Sequence, residues 1–133
     1  MINTRILMTV SAALMAFAGL LFTFLPEEIM GYFLAGESSR QSALFMQVLG
    51  SMYFAFAMLN WMVKANLIGG IYSRPVAIAN LTHFFVGGMA ILKSARVLQD
   101  PLVWGTAVIY LALAVLFAIV MYTHPRVRTS TAG

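Results

Sequence analysis

Cysteine is absent from the 133 residues, which excludes disulfides, thiol catalysis, iron–sulfur clusters and cysteine-ligated metals together. Charge is scarce as well, at 9% of residues, where a soluble domain carries about a quarter. The acids are only Glu27, Glu28, Glu37 and Asp100. The charges fall between long apolar runs instead of along one face of each run, so no polar surface is left to offer water. What fills the chain is hydrophobic side chains, 62% of the total, and the solvent such a chain requires is lipid.

The net charge of +4 does not point to nucleic acid. Arg5, Arg40, Lys64, Arg74, Lys93, Arg96, Arg126 and Arg128 are scattered at the edges of apolar runs, whereas nucleic-acid binders cluster basic residues on one surface. This basic excess reads as membrane anchoring and topology.

A bilayer core needs about 20 apolar residues of helix, and Ile6 to Leu25, Ala43 to Val63, Val76 to Leu92 and Leu102 to Tyr122 each satisfy it. The first run has a basic start at Arg5 and an Ala16-Phe17-Ala18 site like that of a secretory signal. Apolar sequence continues past that site through Leu25, so retention as a membrane helix is expected. Asp100-Pro101 and Arg74-Pro75 read as helix starts, and His124-Pro125 as a stop. Residues 1–133 are expected to form a single transmembrane domain, ending in a short polar tail at 126–133.

With the N-terminus inside, Arg5, Lys64, Arg74, Arg126 and Arg128 face the cytoplasm, against Arg40, Lys93 and Arg96 outside. That bias favours both termini in the cytoplasm. The connection from Pro26 to Ser42 opens with Pro26-Glu27-Glu28, acids at the positive end of a helix dipole, and continues with Ile29, Met30, Tyr32, Phe33 and Leu34. A short helix lying in the outer interface is expected there.

Helix packing in lipid favours seams of small and polar residues. Heptad-like spacing gives Thr9, Ala12, Ala16, Gly19 and Thr23 in the first span and Gly50, Tyr53, Ala57, Asn60 and Lys64 in the second. The third gives Asn80, His83, Gly87, Ala90 and Ser94, and the fourth Ala107, Leu111, Ala114, Ala118 and Met121. The expected fold is therefore all-α, an integral membrane four-helix antiparallel bundle with a short interfacial segment between its first two long helices.

Counting about 1.5 Å per residue from the joined ends of spans two and three, Asn60 lies roughly 5 Å deep, Asn80 about 8 Å and His83 about 12 Å. This predicts one polar layer, with Trp61 and Lys64 at its rim and Asn66, Tyr72 and Arg74 in the loop. An ionisable group inside a membrane is costly and marks a candidate site, which singles out His83. Hydrogen-bonded structural glue is the competing reading for Asn60, Asn80 and His83, and interfacial anchoring for Trp61 and Lys64. At the opposite rim Glu27, Glu28, Gln47, Lys93 and Arg96 are secondary candidates for charge pairing or for holding a lipid headgroup, with ordinary solvation as the alternative.

The Gly69-Gly70 loop lacks the rest of a phosphate-binding pattern and reads as a tight turn. No metal or other cofactor is expected: His83 lies mid-span, His124 lies beyond the fourth span, and no acid falls within a span. A second titratable group level with His83 is limited to Tyr53, about 16 Å from the inner end of its span, so catalysis is the least supported activity.

The basic-led first span, the Leu25-Pro26-Glu27 exit, Leu49-Gly50 near the start of the second span and the His-bearing third span resemble small bacterial four-helix membrane proteins of the DoxX-like kind, including families known only as domains of unknown function. The resemblance implies a bacterial inner membrane and a four-helix bundle. It implies no functional residue, and this chain departs from the redox-associated members by having no cysteine. The leading expectation is a non-enzymatic accessory or small-ligand-binding bundle. A small oligomeric transporter or channel is the alternative, and a lipid or isoprenoid enzyme using His83 with Arg74 or Lys64 is a third. Expected partners are lipid, further copies of the chain or another membrane protein.

Overall fold

A computed structural model describes residues 3–34, 39–65 and 74–122. Its regular elements are all helical: α1 (Thr4–Phe24), α2 (Pro26–Leu34), α3 (Arg40–Val63), α4 (Arg74–Leu98) and α5 (Pro101–Tyr122). By length and composition α1, α3, α4 and α5 can each cross a membrane. The shortest of them, α1, has 21 residues, about 31 Å of helix against a hydrocarbon core of about 30 Å.

The boundaries follow local chemistry more closely than hydropathy. Pro26 cannot donate a backbone hydrogen bond and falls where α2 begins, in a helix position that needs no donor. The backbone stays hydrogen-bonded on either side, Leu25 N to Leu21 O at 2.8 Å and Ile29 N to Leu25 O at 3.2 Å. Glu27 and Glu28 occupy the first turn of α2, where the dipole favours them. The connection expected to be interfacial is thus a helix, packed against α3.

α3 begins at Arg40 instead of Ala43 because Ser39 and Ser42 close a reciprocal cap. Ser42 N donates to Ser39 Oγ at 3.1 Å and Ser39 N to Ser42 Oγ at 3.0 Å. α4 continues past Leu92 through Lys93 and Arg96 to Leu98. Their charged ends do not interrupt backbone hydrogen bonding, so the hydropathy limit was not the helix limit.

The α4–α5 corner is tight. Gln99 sits at φ 52, left-handed backbone that reverses the chain. Asp100 then caps α5, its Oδ1 accepting from Leu102 N at 2.7 Å and Val103 N at 3.3 Å. Asp100→Ala is expected to destabilise the hairpin by about 1 kcal/mol, read as a lower melting temperature in detergent, while Asp100→Asn retains most of the stability.

The helices form two compact units, one from Arg5–Ala65 and one containing the α4–α5 hairpin. In the first, α1 and α3 are antiparallel and meet backbone to backbone where Gly19 faces Gly50. Ala12, Gly19, Gly50, Ala57 and Asn60 of the expected seams are buried, joined on α1 by Leu7, Met8, Ser11 and Met15.

The hairpin corrects the other two seams. On α4 the buried side is Ala77, Asn80, Phe84, Gly88 and Ala95. His83 and Gly87 are half-buried, and Ala90 and Ser94 are exposed. Phe84 causes the rotation. It stacks on Phe117 at 5.7 Å and meets Tyr110 edge-on at 5.3 Å, so large aromatic groups, which a search for small residues passes over, share the contact between α4 and α5. Gly88 leaves room for Leu111. On α5, Ala107 and Ala114 are buried together with Val103, Leu113, Phe117 and Val120.

Candidate functional site

Asn60 is fully buried on α3. Its Nδ2 donates to Ser11 Oγ at 3.1 Å and approaches Met15 Sδ at 3.8 Å, both on α1. Ser11 in turn donates to the Met8 carbonyl at 3.0 Å. A hydroxyl that donates within its own helix and accepts from the neighbouring helix satisfies two polar side chains away from water, which is what burial of an amide requires. Sequence reasoning missed Ser11 because the seam it followed took Thr9 and Ala12. Thr9 is only half-buried, and its hydroxyl donates to the Arg5 carbonyl at 2.8 Å.

On α4, Asn80 is fully buried and its Nδ2 donates to the Val76 carbonyl at 2.9 Å. One turn on, the His83 ring lies 5.1 Å from Phe84 and 5.7 Å from Tyr110, centroid to centroid. Tyr110 is the titratable neighbour that sequence reasoning did not find. It looked for a group level with His83 across spans two and three and considered Tyr53, which lies in the other unit with its ring edge-on to Phe22 at 5.3 Å. The signal available was the polar ring at mid-span in the fourth helix, the element adjacent to span three in sequence. Together His83, Phe84 and Tyr110 place an imidazole and a phenol against an aromatic wall.

One turn beyond Asn60, Lys64 is the C-cap of α3, and its Nζ lies over the Trp61 ring, 2.7 Å from the centroid. This is a cation–π contact at a helix C-terminus, where positive charge is favoured. Partial burial, then the like charge of Arg5, push the Lys64 ammonium below the usual lysine range. Arg74 is the exposed first residue of α4. Asn66, Gly69, Gly70, Tyr72, Glu37, His124, Pro125 and the tail at 126–133 lie outside the described residues.

Of the opposite-rim candidates, Glu27 and Gln47 line an open groove of about 630 Å³ between α2 and α3, with Pro26, Gln41 and Leu44. Arg40, which the sequence identified only as a topology charge, lines it too. Glu28 is exposed on α2, and Lys93 and Arg96 are exposed near the end of α4. Among the described residues no three of His, Cys, Asp and Glu come together as a metal site. Comparison with known protein families, with curated proteins and with solved structures finds no match for this chain.

Proposed function

We propose that this chain is a non-enzymatic multi-pass protein of a bacterial inner membrane, DoxX-like in layout, with both termini in the cytoplasm, and that it binds a small ligand on the α4–α5 hairpin. The observation that carries the binding role is the His83–Tyr110 pair, 5.7 Å apart beside Phe84. An imidazole and a phenol on an aromatic wall suit a molecule with a flat apolar body and one hydrogen-bonding group. Binding is favoured over acid–base catalysis because α4 and α5 carry no carboxylate between Arg74 and Leu98 or between Pro101 and Tyr122. Membrane residence is supported by four long apolar helices whose large side chains are widely exposed, Phe24, Phe45, Met62 and Val97 among them. Such exposure is unfavourable in water and costs nothing in lipid.

The test is His83→Leu and Tyr110→Phe in detergent, with thermal melting recorded with and without a panel of planar aromatic compounds. Each variant is expected to be within about 1.7 kcal/mol of wild type in stability, the ceiling for polar contacts between membrane helices, while the compound-induced rise shrinks or vanishes. A fall in stability with the compound-induced rise intact assigns these residues to structure and removes the binding reading.

A further inference from the structure

Glu27 on α2 and Arg40 on α3 line one groove, and Gln41, Leu44 and Gln47 continue its α3 wall. All five are exposed, and at about 630 Å³ the groove has the size of an ordinary small-molecule site. Its two charges are of opposite sign, yet among the described residues no ion pair joins Glu27 to Arg40. Each offers its charge to whatever fills the space between. Along α3 the chemistry changes with depth, because the helix rises about 10 Å from Arg40 to Gln47 and passes from its charged start into the apolar run that opens at Ala43. An amide exposed in that run costs free energy until it finds a hydrogen-bond partner, and among the described residues the Gln47 side chain makes no hydrogen bond. Leu44 and, next to Gln47, Val48 add exposed apolar surface.

One carboxylate and one guanidinium are complementary to a molecule that carries both charges, and an ion of a single sign satisfies only one of them. The amide deeper along α3 calls for an acceptor joined to that molecule, and the apolar surface for hydrocarbon. We propose that the α2–α3 groove holds one phospholipid with a primary-amine headgroup, of the phosphatidylethanolamine class. Its ammonium meets Glu27, its phosphate meets Arg40, an ester carbonyl accepts from the Gln47 amide, and an acyl chain runs along Leu44 and Val48. A primary ammonium donates hydrogen bonds to the carboxylate, and the quaternary ammonium of phosphatidylcholine has the same charge but no proton to donate. Phosphatidylglycerol has no cation for Glu27 at all. This site is separate from His83 and Tyr110 and rests only on the membrane part of the functional reading.

Native mass spectrometry of the detergent-solubilised full chain tests the proposal, with the dioleoyl forms of phosphatidylethanolamine, phosphatidylcholine and phosphatidylglycerol supplied in equal amounts. Wild type is expected to retain one phosphatidylethanolamine in preference to both others. Glu27→Gln lowers the preference over phosphatidylcholine about tenfold, the effect of one hydrogen bond to a charged group, and Glu27→Lys, which makes both walls cationic, turns the preference to phosphatidylglycerol. Arg40→Gln lowers retention of phosphatidylethanolamine and phosphatidylcholine alike, because the phosphate is common to them. Glu28→Gln is the control: it removes the same charge from the same exposed turn of α2 but does not line the groove, and it leaves the preference unchanged. The proposal is overturned by equal retention of the three lipids in wild type, by an unchanged preference in Glu27→Gln, by an equal loss in Glu28→Gln, or by glycerophosphoethanolamine displacing the lipid as well as intact phosphatidylethanolamine does. A chain that needs detergent yet shows no preference loses this site and keeps the membrane reading, whereas a chain that stays soluble without detergent loses both.

Discussion

Gly50→Ala is expected to cost about 2–3 kcal/mol, the upper range for overpacking a filled interface, and to appear as a large drop in melting temperature. A Cβ built on Gly50 would lie 2.8 Å from the Thr23 backbone nitrogen and 2.9 Å from the Gly19 carbonyl oxygen. One on Gly19 would lie 2.9 Å from both the Gly50 carbonyl oxygen and the Phe54 nitrogen. These obstacles are backbone atoms, so no rotamer change relieves them and the helices must separate. Separation forfeits the close packing that holds helices together in lipid, where no hydrophobic drive replaces it. Gly19→Ala is expected to cost a similar amount, and the double variant less than the sum, because the first methyl already opens the space for the second. Gly31→Ala and Gly105→Ala are the controls. Nothing lies within 4 Å of either position, and replacing a helical glycine in open space gains roughly 0.5–1 kcal/mol. Equal melting temperatures for Gly50→Ala and Gly31→Ala would refute the backbone crossing.

Asn60→Asp is expected to be at least as damaging, at about 3 kcal/mol or more, the cost of leaving a buried charge uncompensated. The contact made by the side chain explains the direction. Asn60 donates through Nδ2 to Ser11 Oγ, and an ionised carboxylate has no proton to donate to Met15 sulfur or to Ser11, whose own proton is directed to the Met8 carbonyl. Asn60→Leu separates loss of the hydrogen bond from burial of charge. It replaces the amide with an apolar group of similar size, and the expected loss is about 0.6 kcal/mol, with roughly 1.7 kcal/mol as the ceiling for polar contacts between membrane helices. Ser11→Ala should resemble Asn60→Leu, and combining the two should cost little more than either alone. An aspartate variant as stable as the leucine variant would mean that the position is open to water.

The number of long helices and most of their limits were legible because bilayer thickness, proline and charge impose rules that operate along the chain. Pro26, with Glu27 and Glu28 behind it, announced a helix start, and Asp100-Pro101 announced another; the structure has helices beginning at Pro26 and Pro101. The start of α3 was displaced because Ser39-x-x-Ser42 is a weaker written signal than a cap closed by Glu or Gln, although its two hydrogen bonds form. The end of α4 was displaced because Lys93 and Arg96 set a limit to hydropathy and not to helical hydrogen bonding.

Side-chain partnership was legible only in part. The seam containing Gly50, Ala57 and Asn60 follows from the preference for small and polar residues, and those residues are buried. The same preference misplaced the face of α4, where Phe84 packs on α5 together with the small residue Gly88. A one-position error rotates a helix face by about 100°, enough to move Ala90 and Ser94 from the expected core to the surface.

By itself, then, the sequence determined an all-helical chain with four stretches long and apolar enough for a bilayer, since those properties depend on runs of neighbouring residues and on the fixed rise of a helix. Only the tertiary structure decided that Asn60 answers to Ser11, that His83 stands beside Tyr110, and that Lys64 lies over Trp61. These pairings depend on the rotation and register of one helix against another. Several registers satisfy the same hydrophobic pattern, and packing volume selects among them: two glycines that admit a backbone crossing in one unit, and a phenylalanine that sets the contact in the other.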